Sequence, residues 1–316
     1  MITLSAAGGN NCDFSSIFKT VVGPRGKRLA KRSRHDELLT YGWAKTQSAS
    51  HRLDVDDFAT AIRGLSVEMS SRSGTAHLGS VLSCADILAV VFASKTVLPE
   101  QTHEEPVPFV LSKGHAALGL YSSMLLTSSI SPSDFLSYAE VGSAFEEHPS
   151  HRIPGVPLST GSLGHGLAFM AGKTQGRRAL GKRRGGIVLL SDGECNEGTV
   201  WEAALYAAAK EIGGLVAIVD ENRLQATGPT SETFGSASIA EIFRSFGWVG
   251  IEVDGHNTTT LESAVSEGLS SDIPYFIVAQ TLKGKGISFM EDDNNWHYRS
   301  PSSQEVGKAL EELGIS

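Results

Sequence analysis

Cysteine is scarce in this 316-residue chain: Cys12, Cys84 and Cys195 are all it has, and no two are spaced as a CxxC pair. That usage excludes a disulfide framework and a cysteine-based zinc site, and it fits a reducing compartment, the cytoplasm. Long apolar runs are missing too. The longest, such as Ile87–Ala93 and Leu215–Val219, fall far short of the roughly 20 residues that a membrane helix needs. No secretory-type apolar segment follows Met1, so the chain reads as soluble and unprocessed, with no membrane partner. Nor is there an excess of positive charge: 27 Lys and Arg stand against 35 Asp and Glu, a formal charge of −8. Nucleic acid is therefore not the expected partner. What is present is ordinary for a globular protein, 41% apolar and 20% charged residues, enough for one large α/β domain or two smaller ones.

Charge is unevenly spread. Residues 1–35 hold seven Lys or Arg against one Asp, net +6, which leaves −14 on residues 36–316. Gly23–Arg34 packs six basic residues into twelve without any apolar period. Residues 1–50 accordingly read as a flexible basic arm and residues 51–316 as the folded domain. The arm suits a disordered extension without catalytic role, an organelle transit peptide, a partner-binding tail or sequence upstream of the natural start.

Behind an acidic first turn at Asp54, Asp56 and Asp57, the spacing of Phe58, Ile62, Leu65 and Met69 predicts an amphipathic helix ending near Gly74. A second helix is expected from Ser83 through Phe92, a short strand over Pro108–Leu111, and a third helix to Leu126. Ser131, Pro132 and Asp134 read as the cap, first-turn proline and acidic third position of another helix, and Glu147–Gly166 follows as a long irregular stretch. Four apolar runs then alternate with helical patterns. The runs are Gly186–Leu190, Leu215–Val219, Trp248–Val253 and Tyr275–Ala279; the helices are Glu197–Lys210, Ser238–Phe246, with a capping-box pair at Ser238 and Glu241, and Thr259–Leu269. A helix over Gln304–Gly314 reads as a domain end. This alternation predicts an α/β fold, a doubly wound and mostly parallel sheet flanked by helices, with its ligand site beyond the carboxyl ends of the strands. A dinucleotide domain would alternate in the same way, but no G-x-G-x-x-G follows a strand here.

The first of those strands runs into Ser191-Asp192-Gly193-Glu194-Cys195-Asn196-Glu197-Gly198, and the next ends in Asp220-Glu221-Asn222, thirty residues after Asp192. A carboxylate and an amide oxygen on two strand ends are hard ligands, suited to Mg²⁺ or Ca²⁺ that also grips a diphosphate. Gly193 removes a side chain where backbone N–H groups must approach phosphate, and the following helix start adds partial positive charge. Taken singly, Asp192 is an ordinary cap and Asn222 an ordinary turn residue; their pairing in consecutive βα units is what points to the ligand.

Asp-Gly, thirty residues, then Asn is similar to the thiamine-diphosphate motif. Its surroundings resemble the amino-terminal cofactor domain of the transketolase family (thiamin diphosphate-binding fold, PP-type). Five further stretches in the same order carry the resemblance: Ser73–Ser80, Leu111–Ala117, Glu147-His148-Pro149, Thr160–Gly166, and Lys283-Gly284-Lys285-Gly286 with Trp296-His297. The resemblance implies that Asp192, the Asn222 side chain and the Leu224 carbonyl bind Mg²⁺, with Gly193 and Asn222 on the diphosphate and Lys283, His115 and His297 near it. It places Gly161, Ser162 and Leu163 against the cofactor rings, Leu163 as the wedge that bends the cofactor. It gives His77, Ser80 and His148 the substrate end, with His77, His148 and His297 as catalytic residues.

The activity so implied is two-carbon ketol transfer from a ketose, as a phosphate, to an aldose through a dihydroxyethyl-thiamine intermediate. Family members continue with a domain that supplies an activating glutamate, and then with a third domain. The resemblance therefore implies a split enzyme: this chain is the amino-terminal subunit of an α₂β₂ assembly that a separate carboxyl-terminal subunit completes. Two alternatives stay open: a component of a 2-oxo acid decarboxylase or dehydrogenase, and a non-catalytic cofactor-binding subunit. The histidine series favours the ketolase, because a dihydroxyethyl donor needs several hydroxyl partners. Two positions depart from the family pattern: Ser191 stands where Gly is usual, and Gly-Thr-Ala-His where Gly-His is usual. Of the remaining polar residues, His165 reads as structural, Glu197 as a first-turn residue and Cys195 as an inert thiol. Trp201 and Tyr206 read as core, and Asp254-Gly255-His256 as a turn.

Overall fold

Five short apolar runs form one wholly parallel sheet: β1 (Phe109–Leu111), β2 (Gly186–Ser191), β3 (Leu215–Glu221), β4 (Val249–Asp254) and β5 (Tyr275–Gln280), in the spatial order β1-β2-β3-β5-β4. The computed structural model describes residues 53–94, 107–182, 185–235 and 237–315; the basic arm expected over residues 1–50 and Cys12 lie outside them. The three central strands are buried almost throughout, which is why they read as unbroken apolar runs rather than as alternating ones. β4, at the edge, exposes Val249 and Ile251.

Helices cover both faces. Ile187, Leu189, Val216, Ile218 and Ile277 pack toward α1 (Val55–Ser73), α3 (Ala85–Ala93), α4 (Ala117–Leu126) and α10 (Thr258–Ser270). Their strand neighbours Val188, Leu190, Ala217, Val219 and Val278 pack toward α6 (His165–Ala179), α7 (Gly198–Ala209) and α9 (Ile239–Ser245). Strand alternation thus splits the core into two slabs. A third cluster, built on Val67, Leu82, Met290, Trp296 and Ala309, joins α1 to α2 (Leu78–Ser83) and α11 (Ser303–Glu312). The short helices α5 (Pro132–Leu136) and α8 (Thr230–Phe234) complete the set. Among the described residues no helix is long and apolar enough to cross a membrane.

The helix ends follow local chemistry. Asp54 accepts from the Asp57 N–H at 2.7 Å to start α1, and Gly74, at φ 67°, closes it by donating to the Ser70 carbonyl. Ser131 and Asp134 form the reciprocal capping box of α5; Ser238 accepts from the Glu241 N–H, one half of the box expected for α9.

Three features differ from the sequence reading. The helix expected from Ser83 through Phe92 is α3, which starts at Ala85, and the short α2 that ends at Ser83 ahead of it was not expected. Helix α6 was not expected, because Gly166, Gly172 and Gly176 interrupt its pattern; its buried face, Leu167, Met170, Ala171 and Thr174, nonetheless has helical spacing. Tyr206 is not core. The buried stripe of α7 is Val200, Ala203, Ala204 and Ala207, which leaves Tyr206 44% exposed and its hydroxyl donating to Gln175. Trp201 is half-buried against Phe243.

Phe243 has no exposed surface and stacks on Phe276 at 5.4 Å, with Trp248 at 5.0 Å. Phe243→Ala is expected to lower the unfolding free energy by about 3–5 kcal/mol, measured by urea denaturation; a loss below about 1 kcal/mol would contradict this account of the second slab.

Candidate active site

β2 and β3 are neighbours, with Ser191 in register with Asp220, so the loops that leave them face one crevice. Asp192 ties those loops together. Its Oδ1 accepts from the Gly193 N–H at 2.8 Å, and its Oδ2 accepts from the Arg223 N–H at 2.8 Å and the Thr230 hydroxyl at 2.9 Å. Arg223 sits at φ 64°, a left-handed conformation that costs a non-glycine residue roughly 1–2 kcal/mol. This sharp turn brings the Leu224 N–H onto Asn222 Oδ1 at 3.1 Å.

Lys283 enters from the loop after β5. Its ammonium donates to three acceptors, the Leu224 carbonyl at 3.2 Å, Asn294 Oδ1 at 2.8 Å and His297 Nδ1 at 3.1 Å. Burial, then the nearby Lys113, lowers its pKa to about 8. Because Nδ1 of His297 accepts, its proton resides on Nε2. Burial, then Lys283, pulls the His297 pKa down to about 3, so the ring is neutral.

Four histidines converge above this floor. His77 caps α2 at φ 68°, its N–H donating to the His297 carbonyl at 2.8 Å. Its ring centroid lies 5.0 Å from that of His297, 5.6 Å from His115 and 6.2 Å from His148; His115 and His297 are 6.2 Å apart. Burial lowers the pKa of His77 despite Glu147, whose carboxylate lies 3.8 Å away, and lowers that of His115 well below the usual value. The Nδ1 of His77 is buried without a hydrogen-bond partner.

Glycines let the surrounding loops touch. A Cβ on Gly114 would lie 2.8 Å from the Gly161 nitrogen, and one on Gly161, at φ 142°, would lie 3.0 Å from the His148 ring. Leu163 is half-buried and Ser162 exposed. The loop that carries them is anchored where the Gly164 N–H donates to Glu194 Oε1 at 2.8 Å. Glu194 is fully buried and also accepts from the Ser112 hydroxyl, so it joins three of the motif stretches. Ser80 lies one turn from His77 but is buried, and its carbonyl accepts from Lys113. His165 is exposed, its Nδ1 3.1 Å from the Leu163 carbonyl; Glu197 is exposed at the start of α7 without a side-chain cap bond. The thiols of Cys84 and Cys195 are buried, and burial pushes that of Cys84 up to about 12 and that of Cys195 well above the usual range.

Beneath the crevice lies an ion pair that sequence reasoning missed. Lys113 and Asp220 are both fully buried and paired, and Asp220 also accepts from Ser83 at 2.6 Å, from Thr281 and from Asn222 Nδ2 at 3.3 Å. Burial would raise the Asp220 carboxyl, but the Lys113 charge outweighs it and holds the carboxyl below the usual range. The signal was a charge of opposite sign at the exit of each of two apolar strands, Lys113 after β1 and Asp220 at the end of β3.

The residues suit a hard cation with a diphosphate. Burial, then Asp220, raises the pKa of Asp192, a desolvated carboxylate held by uncharged donors, and such a group favours a cation beside it. Among the described residues no three His, Cys, Asp or Glu side chains form a metal cluster. A site here therefore relies on one carboxylate with the Asn222 amide and Leu224 carbonyl oxygens, a set for Mg²⁺ or Ca²⁺ rather than for zinc.

Lys113→Met strands the buried Asp220 charge and is expected to destabilise by about 3–5 kcal/mol. Adding Asp220→Asn should recover part of that loss; additive losses in urea titrations would contradict the pairing. Lys283, which has no exposed surface, should lose its proton with a midpoint near pH 8, against about 10.4 for an unperturbed lysine. Side-chain nitrogen NMR across a pH series reads it.

The family model described as transketolase, thiamine diphosphate binding domain, matches residues 55–316. The chain is 36% identical over 261 residues to transketolase-like protein 2 of Homo sapiens, covering 81% of this chain and 42% of that protein. It is 34% identical over 265 residues to an apulose-4-phosphate transketolase subunit of Actinobacillus succinogenes, covering 82% of this chain and 96% of that one. The protein of the same name from Phocaeicola vulgatus is 33% identical over 253 residues, with 78% and 89% covered. A crystal structure of transketolase from Campylobacter jejuni superposes with a TM-score of 0.74 at 25% identity, covering 84% of this chain and 44% of that one. The chain thus spans less than half of the human and Campylobacter proteins and most of the two apulose-4-phosphate transketolase subunits. It belongs to the transketolase family and carries that family's thiamine diphosphate-binding domain.

Proposed function

We propose that this chain is the amino-terminal subunit of a heteromeric transketolase, which moves a two-carbon ketol unit from a ketose phosphate to an aldose. The observation that carries this reading is the convergence of His115, His148 and His297 around His77, with ring centroids 5.0 to 6.2 Å from its own, over the Asp192 and Asn222 loops. Two relatives that are themselves named as transketolase subunits match this chain over nearly their whole length. That match supports the separate partner, a carboxyl-terminal chain that supplies the activating glutamate in an α₂β₂ assembly.

Asp192, Asn222 Oδ1 and the Leu224 carbonyl would hold Mg²⁺, and the Gly193 backbone, Asn222 and Lys283 the diphosphate. Gly161, Ser162 and Leu163 would flank the rings. Bound thiamine diphosphate supplies the carbon nucleophile that makes and breaks the carbon–carbon bond. The chain's own groups orient the sugar and carry its protons. A neutral imidazole donates through one nitrogen and accepts through the other, so it can hold a donor hydroxyl in one step and return the proton in the next. His77 and His148 take that role at the carbonyl and hydroxyl oxygens of the donor. His297, with its proton on Nε2 and its Nδ1 occupied by Lys283, presents a donor, and its pKa of about 3 keeps that arrangement through the physiological range.

Co-purified with its partner, the chain should transfer two carbons between sugars; alone, it should bind the cofactor weakly and turn over no ketose phosphate. Release of CO₂ from pyruvate without ketose cleavage would overturn the assignment. In the complex, Asp192→Ala should abolish Mg²⁺-dependent cofactor binding. His77→Ala should lower kcat by roughly 10²–10⁴-fold, the usual worth of general acid–base catalysis, while leaving cofactor affinity in place.

A further inference from the structure

The Asp254-Gly255-His256 turn reads as an ordinary turn in sequence, and it stands apart from the residues that line the crevice. Its construction is specific. Asp254 Oδ1 accepts from the His256 N–H at 2.9 Å, and its carbonyl accepts from Asn257 at 3.1 Å. The Gly255 N–H donates to the Gln280 carbonyl at 2.8 Å, and a Cβ on Gly255 would collide with Thr281, so only glycine lets the turn close on the exit of β5.

That closure delivers the His256 ring between two partners. The Leu282 N–H donates to Nε2 at 2.9 Å, so Nε2 is the acceptor and the ring proton is on Nδ1. Nδ1 in turn donates to Asp86 Oδ2 at 2.6 Å. Asp86 is buried in α3 and gripped at both oxygens by Arg63 of α1, at 3.1 and 2.5 Å. Burial would raise the Asp86 carboxyl, but the His256 hydrogen bond and the Arg63 charge outweigh it and keep it ionised. The chain Arg63–Asp86–His256–Leu282 thus runs from two helices to the backbone immediately before Lys283.

Lys283 is otherwise flanked by bonds on either side. Thr281 N–H donates to Glu221, Gly284 N–H donates to the Gly79 carbonyl at 3.1 Å, and Asp292 N–H donates to the Lys283 carbonyl at 2.9 Å. The bond from Leu282 to His256 is the one nearest on the upstream side and leads through the ring to ionised Asp86, while one residue further upstream the Thr281 hydroxyl donates to Asp220.

We propose that His256 is a positioning residue: with Asp86 and Arg63 it fixes the Leu282 amide and so aims the Lys283 ammonium into the cofactor crevice. What Lys283 serves there rests on the function proposed above. The placing of Leu282 does not.

Two substitutions in the full chain separate the bonds. In His256→Asn the amide falls where Nδ1 was, which keeps the Asp86 bond and loses the Leu282 bond; in His256→Gln it reaches the Nε2 position and restores an acceptor for Leu282. Amide hydrogen exchange over residues 281–284 and the affinity for thiamine diphosphate with Mg²⁺, by calorimetry, are the readouts. His256→Asn should speed exchange and weaken affinity by about tenfold, as loss of an outer orienting partner does, while His256→Gln should stay within about threefold of the parent. Equal exchange in the two variants, or affinity that merely follows melting temperature in both, would overturn the proposal. A parent chain that binds no cofactor even with its partner subunit present would refute the functional reading, and the exchange comparison would still decide the role of His256.

Discussion

The crevice rests on one charge pair with no access to water. Asp220 at the end of β3 receives Lys113 from behind β1, Ser83 from α2, Thr281 from behind β5 and Asn222 from its own loop. Such a pair adds little net stability, because desolvating two ions consumes most of what their attraction returns. Its effect is on geometry. Every segment that reaches Asp220 also carries a crevice residue within three positions: His115 beside Lys113, Ser80 beside Ser83, Asn222 itself, and Lys283 beside Thr281. One buried carboxylate therefore sets the relative placing of α2 and three loops, and a slip in any of them leaves it short of a partner.

Above that pair the electrostatics are arranged for an anion with its own cation. Lys283 is crowded by Lys113 and by burial, which favours a negative group beside it, while Asp192 is crowded by Asp220 and by burial, which favours a positive one. The two demands are opposite in sign and lie on adjoining loops, joined where Lys283 meets the Leu224 carbonyl. A metal diphosphate meets both, because it presents cation and anion as one body. Three of the histidines are held neutral in the same field. Burial and neighbouring Lys283 or Lys113 disfavour imidazolium at His77, His115 and His297, so these rings do not compete as charges for an anion beside Lys283.

Much of this was legible in the residues, for reasons that differ from element to element. The three central strands could be placed because burial on both faces forces unbroken apolar runs, and α1 because its apolar stripe and Asp54 cap agree. Asp192 and Asn222 could be named because strand exits in a parallel sheet are where ligands bind, and the histidines because the stretches that carry them resemble those of the transketolase family. What stayed hidden is what depends on contacts far apart in the chain. Lys113 and Asp220 are 107 residues apart, and His256 and Asp86 are 170 apart. No local spacing encodes such pairs. Helix α6 stayed hidden for the opposite reason: its glycines are local signals against a helix, and packing overrides them, since the backbone at Gly166 lies against Ser112 where a side chain would collide.

The same contrast explains why Asp254-Gly255-His256 looked ordinary. Each residue obeys turn chemistry: a side chain that accepts its own backbone, a glycine at a close approach, a polar residue at the exit. Turn chemistry accounts for Asp254 and Gly255, but it places no demand on the third side chain, which any polar residue could satisfy. The imidazole is required only once Asp86 and the Leu282 N–H are in view, because it carries a donor and an acceptor on opposite edges of one rigid ring. A carboxylate could not donate to Asp86, and a lysine could not accept from Leu282. The pairing of an ionised acceptor with a backbone donor leaves histidine as the side chain that bridges them without adding net charge to the buried Arg63–Asp86 pair.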